Sequence, residues 1–168
     1  MFKKSTVIVS FFFCFFIVSQ TVLAQEKRSV GLSASFQGEQ LDIGFPIWIG
    51  PKAVLAPAVS AVYVEGAGVD FGIGLAPRFF FKMDRLAPYL GGRAAFFLNA
   101  PSDEGAESTK DFLFGLAFGG EFFLHRQLSF GVEAQLNATI SDELSSRFGN
   151  PGGFSLNTAT ALFASIYF

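Results

Sequence analysis

Six charged side chains, Asp42, Asp70, Arg78, Arg93, Glu121 and Glu133, sit inside stretches otherwise built from phenylalanine, leucine, alanine and glycine. The chemistry open to them is ion pairing in a confined space, since an unpaired charge among apolar groups is costly. Asp103, Glu104, Glu107 and Asp111 are different, crowding a hydrophilic segment where they could offer oxygen ligands to a divalent cation. Their spacing does not match the twelve-residue calcium loop, and a solvated acidic loop accounts for them equally well, so no metal site is expected. Nucleophilic catalysis needs a serine or cysteine beside a base. His125 is the one histidine and Cys14 the one cysteine, the latter in an apolar N-terminal segment, and no catalytic residue is assigned. Gly72-Ile73-Gly74 lies within an alternating stretch. A phosphate-binding loop would instead open a helix.

The elements that position the six charges follow from period-two alternation, because successive side chains of an extended chain point to opposite faces. Val30–Gln37, Leu41–Ile49, Val69–Phe79, Ala87–Leu98, Phe112–Leu124 and Leu128–Thr139 all alternate. Ala53–Val64, interrupted by Pro57, is apolar on both faces but lies between two turns. The final stretch, Asn157–Phe168, sets Leu162, Ala164, Ile166 and Phe168 on one face. Eight strands result. Short turns at Gly50–Lys52, Lys82–Arg85 and His125–Gln127 fall at one end. Gly38-Glu39, Glu65–Gly68 and the longer loops 100–110 and 141–155 fall at the other. Strands of about ten residues, tilted near 45°, rise about 23 Å, close to the roughly 25 Å apolar band of a transmembrane barrel.

The six charges occupy the face opposite the phenylalanines. A lipid-facing arginine at the membrane midplane costs about 2–4 kcal/mol, so they are expected in the lumen, which in a small barrel is about filled by side chains. A structural ion-pair core accounts for them better than a selectivity filter. Arg78, Arg93, Glu121 and Glu133 are expected at similar heights in one belt, with Arg93 paired to Glu121.

At the other end of the chain, Lys3 and Lys4 precede the apolar run Val7–Val18 and the small residue Ala24. This is the pattern of a secretory signal peptide, with cleavage expected after Ala24; an apolar run of twelve is too short for the roughly 20 residues of a spanning helix. The expected division is signal peptide 1–24 and barrel domain 25–168. Without Lys3 and Lys4, 10 of the 12 basic residues stand against 14 acidic ones, a balance that argues against a nucleic-acid partner. With Cys14 removed, no disulfide is expected.

Pro88-Tyr89-Leu90-Gly91-Gly92-Arg93-Ala94-Ala95-Phe96 and Gly115-Leu116-Ala117-Phe118-Gly119-Gly120-Glu121-Phe122-Phe123 resemble the glycine-aromatic hairpins of the small outer-membrane β-barrel family that includes relatives of OmpX and the OmpA barrel. The last strand, with Leu162, Ala164, Ile166 and Phe168, resembles the C-terminal assembly signal of such proteins. The resemblance covers essentially the whole mature chain. It implies an all-β fold, an eight-stranded antiparallel up-and-down transmembrane barrel in the outer membrane of a Gram-negative bacterium, with both termini in the periplasm. It carries no active site and no cofactor. The expected role is non-enzymatic, structural or surface-interacting, with a narrow pore or carrier for small or hydrophobic solutes as the alternative. Lipid A-modifying barrels share the architecture, but the deacylase triad faces the outer leaflet and His125 lies in an expected periplasmic turn. Implied partners are outer-membrane lipids and lipopolysaccharide, the barrel assembly machinery through the C-terminal strand, and an external partner at loops 100–110 and 141–155. A monomer is expected. The chain departs from the family pattern in its very short first outer loop and its prolines in strands two and three.

Overall fold

The computed structural model describes residues 29–38, 40–103 and 105–168. The expected signal segment 1–24 with Cys14, and residues Glu39 and Glu104, lie outside the described residues. Every regular element among the described residues is a strand: β1 Gly31–Gln37, β2 Gln40–Gly44, β3 Ile47–Gly50, β4 Ala53–Val64, β5 Gly68–Phe80, β6 Leu86–Pro101, β7 Thr109–His125, β8 Leu128–Ile140 and β9 Phe154–Tyr167. Each pairs antiparallel with its neighbours, and the ring closes where β9 meets β1.

Nine segments make eight staves, because β2 and β3 are one strand divided at Phe45-Pro46. Proline has no N–H to give a ladder, so the pairing skips there without slipping. Ile43 faces Val59 and Ile47 faces Leu55, four residues apart on each strand. Pro46 still accepts from the Gly31 N–H, and the Phe45 N–H donates to the Pro57 carbonyl. The prolines thus interrupt the ladder but keep the register.

That register fixes the shape of the barrel. From Phe122 the paired residues run Phe130, Ala164, Ala34, Ile43, Val59, Ile73, Phe96 and back onto β7 at Phe112. One circuit therefore climbs ten residues along β7, from 122 to 112. A stagger of that size over eight strands gives a tilt of about 40° and a lumen that side chains nearly fill. The same circuit is apolar throughout and faces outward, so it is also a continuous girdle on the wall.

Inward positions follow a second rule, glycine across from aromatic. Tyr89 is paired with Gly119, Phe97 with Gly72, Phe163 with Gly131 and Tyr167 with Gly31. A Cβ at Gly119 would lie 2.6 Å from the Tyr89 ring, and one at Gly31 2.8 Å from the Tyr167 ring. Each glycine leaves the space that its partner's ring occupies. At the end with the short turns these rings form a plug: Trp48 stacks on Phe80 at 5.3 Å, Phe80 meets Tyr89 edge-on at 5.3 Å, and Tyr167 lies 6.2 Å from Phe123.

Several strands run past their expected ends. Ala100 and Pro101 pair with Val69 and Gly68, and Thr109 with Asn99, so expected loop 100–110 shrinks to 102–108. Period-two apolar alternation fades at these polar tips, but neighbouring strands continue to hold them. His125 is the last residue of β7, exposed and paired with Leu128.

Leu116, midway along β7 and 64% exposed on the outer wall, tests which medium the wall faces. In lipid vesicles Leu116→Arg should cost about 2–4 kcal/mol in urea unfolding, well beyond Leu116→Ala. Equal losses for the two variants would place that belt outside the hydrocarbon.

Candidate functional site

Among the described residues the buried charge gathers in the lumen, and the structure stacks it in three tiers. Nearest the plug, Arg78 lies 3.8 Å from Glu121 and 3.9 Å from Glu133. All three are buried, Glu121 completely. At those separations the guanidinium and carboxylates attract as ions without direct hydrogen bonds. The carboxylates take their hydrogen bonds elsewhere: Ser129 Oγ donates to Glu121 Oε1 at 2.5 Å, Tyr167 Oη to the same oxygen at 2.8 Å, and Tyr89 Oη to Glu133 Oε2 at 2.7 Å. Donors aimed at an ionised acceptor give the stronger class of hydrogen bond, which lets two carboxylates share one arginine. Arg78 also sits 4.1 Å over the Phe163 ring, so the aromatic plug and the ionic tier are one packed unit.

The middle tier is centred on Arg93. It pairs with Asp42 at 3.6 Å and donates from Nη1 to Gln37 and, at 2.6 Å, to Gln135 Oε1. Gln135 in turn donates to Glu133 Oε1 at 2.6 Å, tying this tier to the one below. Gln40 donates to Asp42 Oδ1 at 2.7 Å. The expected single belt is therefore split, and the expected Arg93–Glu121 pair is replaced by two. Heights counted along individual strands omit the stagger between strands, which carries Asp42 rather than Glu121 to Arg93.

The third tier lies at the mouth and involves a residue that alternation could not find. Arg147, in the segment between β8 and β9, pairs with Asp70 and lies 3.6 Å from Asp111. Its guanidinium stands 4.5 Å from the Phe97 ring, and the next residue, Phe148, meets that ring edge-on at 5.9 Å. Asp111, expected in a solvated acidic loop, is instead buried at the lumen's mouth, accepting from Ser145 Oγ at 2.7 Å and from the Asp142 N–H at 3.0 Å. The reason is that β7 begins at Thr109, which puts Asp111 on an inward strand position. The expected outer loop 141–155 spans 141–153, pinned across its base by the Ser141 N–H to the Gly153 carbonyl, with Ser145 and Arg147 turned into the mouth.

Among the described residues no group of histidine, cysteine, aspartate and glutamate is arranged to hold a metal ion. Asp103 and Glu107 are exposed, away from the buried Asp111. His125 lies at the short-turn end, across the barrel's length from loops 102–108 and 141–153. Leu162, Ile166 and Phe168 face outward and Ala164 shares their side, while Ser165 and Tyr167 point in.

Filled lumen, apolar wall and closed ladder together define a transmembrane-type, eight-stranded antiparallel barrel. No family model matches the sequence, and no curated protein does. Among solved structures, the chain is similar to the N-terminal β-barrel domain of Pseudomonas aeruginosa OprF, with a TM-score of 0.58 and 13% identity over 86% of this chain and 100% of that one. It is also similar to Neisserial surface protein A, with a TM-score of 0.54 and 12% identity over 83% of this chain and 93% of that one. The shared feature is the fold, that of the small outer-membrane barrels.

The tiers predict who couples to whom. Arg78→Ala leaves two buried carboxylates facing each other and should cost on the order of 3–5 kcal/mol, part of which Glu121→Gln in the same chain should restore. Arg93→Ala and Glu121→Gln should add within about 0.5 kcal/mol. A urea-unfolding double-mutant cycle in vesicles reads both, and strong Arg93–Glu121 coupling would overturn the division into tiers.

Proposed function

We infer that the chain is a non-enzymatic outer-membrane barrel of a Gram-negative bacterium, serving as a structural or surface-interacting component of the envelope. The observation that carries this reading is the lumen, closed by an aromatic plug at one end, crossed by ion pairs in the middle and capped at the mouth by Arg147. Such a barrel offers its wall to lipid and its loop end to the surroundings. Outer-membrane lipids and lipopolysaccharide are the partners this wall fits. The outward row Leu162, Ala164, Ile166 and Phe168 is the surface proposed to engage the assembly machinery. At the loop end, loops 102–108 and 141–153 carry the external contacts, with Leu144 the most exposed large apolar side chain of the second.

The same observation speaks against the pore reading. Purified protein that is folded by heat-modifiable mobility and inserted in a planar bilayer should give no unitary conductance. Steady channels, abolished by unfolding and altered by Arg93→Ala, would replace the structural reading with a pore.

A further inference from the structure

The cations at the end with the short turns are gathered on one side of the barrel. Lys52 stands at the foot of β4, Lys82 at that of β5, Arg85 at that of β6 and Arg126 at that of β7, one on each of four consecutive staves. All four are exposed. Adjacent strands lie about 5 Å apart, so the four share about 15 Å of rim. At the feet of the other staves, Ser29-Val30, Gly50-Pro51, Gln127-Leu128 and Tyr167-Phe168, no side chain is charged. The loop end has the reverse sign, with exposed Glu65, Asp103, Glu107 and Glu143 outnumbering Lys110.

The arc has little anionic complement of its own. Among the described residues Asp84 is the one exposed carboxylate side chain at this rim, and it lies 3.2 Å from Lys82. Both partners are open to solvent, and such a pair contributes little. Lys52 Nζ donates to the Phe81 carbonyl at 2.9 Å, a neutral acceptor that leaves the charge uncompensated. Like charges this close repel. An external anion that bridges them relieves the repulsion.

The arc also belongs to the wall, not to the lumen. The Arg85 guanidinium lies 5.0 Å over the ring of Phe122, and Phe122 faces outward, paired with the outward Leu86. Phe81, whose carbonyl holds Lys52, is 58% exposed and shares the outward parity of Phe79. The apolar wall therefore reaches down to the cations. A guanidinium that covers a ring with its face keeps N–H donors at its edge, here at the level where apolar wall gives way to polar turns. Phosphates of a leaflet lie at that level when acyl chains cover Phe81, Leu86 and Phe122. A soluble polyanion would be met better by cations pointing away from the wall, along the barrel axis.

Resting on the reading that this wall faces lipid, we propose that Lys52, Lys82, Arg85 and Arg126 form a headgroup site for an anionic phospholipid of the leaflet at the short-turn end, its acyl chains lying against Phe81, Leu86 and Phe122. A zwitterionic headgroup gains less, because its own ammonium faces the same cations. Each lysine or arginine near an anionic lipid surface strengthens attraction about fivefold.

The test uses the full chain folded in phosphatidylcholine vesicles. These carry a small fraction of phosphatidylglycerol, or of phosphatidylcholine, bearing a photoactivatable diazirine near the top of one acyl chain. Peptide mapping after illumination gives, for each lipid, the labelling of the basic arc, Phe81 to Leu86 and Phe122 to Leu124, relative to that of the uncharged arc around Phe130 and Ile166. This ratio should be at least threefold higher for phosphatidylglycerol, and high salt should shrink the excess. Lys52→Gln with Arg85→Gln should remove most of the excess, whereas Lys52→Arg with Arg85→Lys should retain it. The salt dependence of the wild type serves if the glutamine pair does not fold. Equal ratios for the two lipids, or an excess that survives both charge removal and high salt, would overturn the proposal. Binding of polyglutamate to the wild type in vesicles of phosphatidylcholine alone, without any phosphatidylglycerol excess, would also overturn it and reassign the arc to a soluble acidic partner. Protein that fails to float with the vesicles would instead refute the membrane reading itself.

Discussion

In hydrocarbon no water is present to satisfy a backbone N–H or C=O, so a strand that crosses must be paired on both sides. Much of this chain follows from that condition. Closure of eight strands fixes the circumference, and the ten-residue stagger fixes the tilt. Together they leave a lumen so narrow that the size of each inward side chain is dictated by its neighbour. The pairing of glycine with aromatic across Gly119–Tyr89, Gly72–Phe97, Gly131–Phe163 and Gly31–Tyr167 is the result. The glycines are frequent because rings must turn inward, and rings turn inward because a plug of aromatic side chains fills a narrow tube without adding charge.

The interior is nonetheless far from apolar. Asp42, Asp70, Asp111, Glu121 and Glu133 point in, against Arg78, Arg93 and Arg147. Carboxylates outnumber guanidiniums, so ion pairing alone does not balance them. Hydroxyl groups make up the difference: Tyr89, Tyr167, Ser129 and Ser145 each donate to one of these acids. Donors to an ionised acceptor are worth more than neutral pairs, and here they come from groups already needed for packing. The tyrosines close the plug with their rings and stabilise the carboxylates with their hydroxyls.

Alternation in the sequence carries facing but not height, and the difference explains what could be read beforehand. Eight staves, their antiparallel order and the inward face of Asp42, Asp70, Arg78, Arg93, Glu121 and Glu133 all follow from a period of two. Which of them touch does not, because neighbours across the lumen depend on the summed stagger of several ladders. Arg93 meets Asp42 rather than Glu121 for that reason. Arg147 was out of reach altogether, lying in a segment without alternation that folds back over Asp70 and Asp111. Alternation puts Asp111 and Tyr89 on the faces of Glu121 and Arg93, as the structure has them, but parity alone gives neither the contact of Asp111 with Ser145 nor that of Tyr89 with Glu133.

The ends of the β2–β4 and β1–β9 ladders, at Ile43–Val59 and Phe36–Leu162, mark where the pairing condition can be relaxed. An unpaired strand edge at the membrane midplane would leave several buried donors and acceptors without partners, each costing several kcal/mol. The same edge near the rim can be reached by water from the polar mouth, and the penalty falls accordingly. It is consistent with this that the register holds across Pro46 and Pro57, where the ladder is interrupted but Phe45 still reaches the Pro57 carbonyl, and that the β2–β4 pairing ends above Ile43–Val59. The prolines lie where the register must hold, and the ladders end where water can compensate.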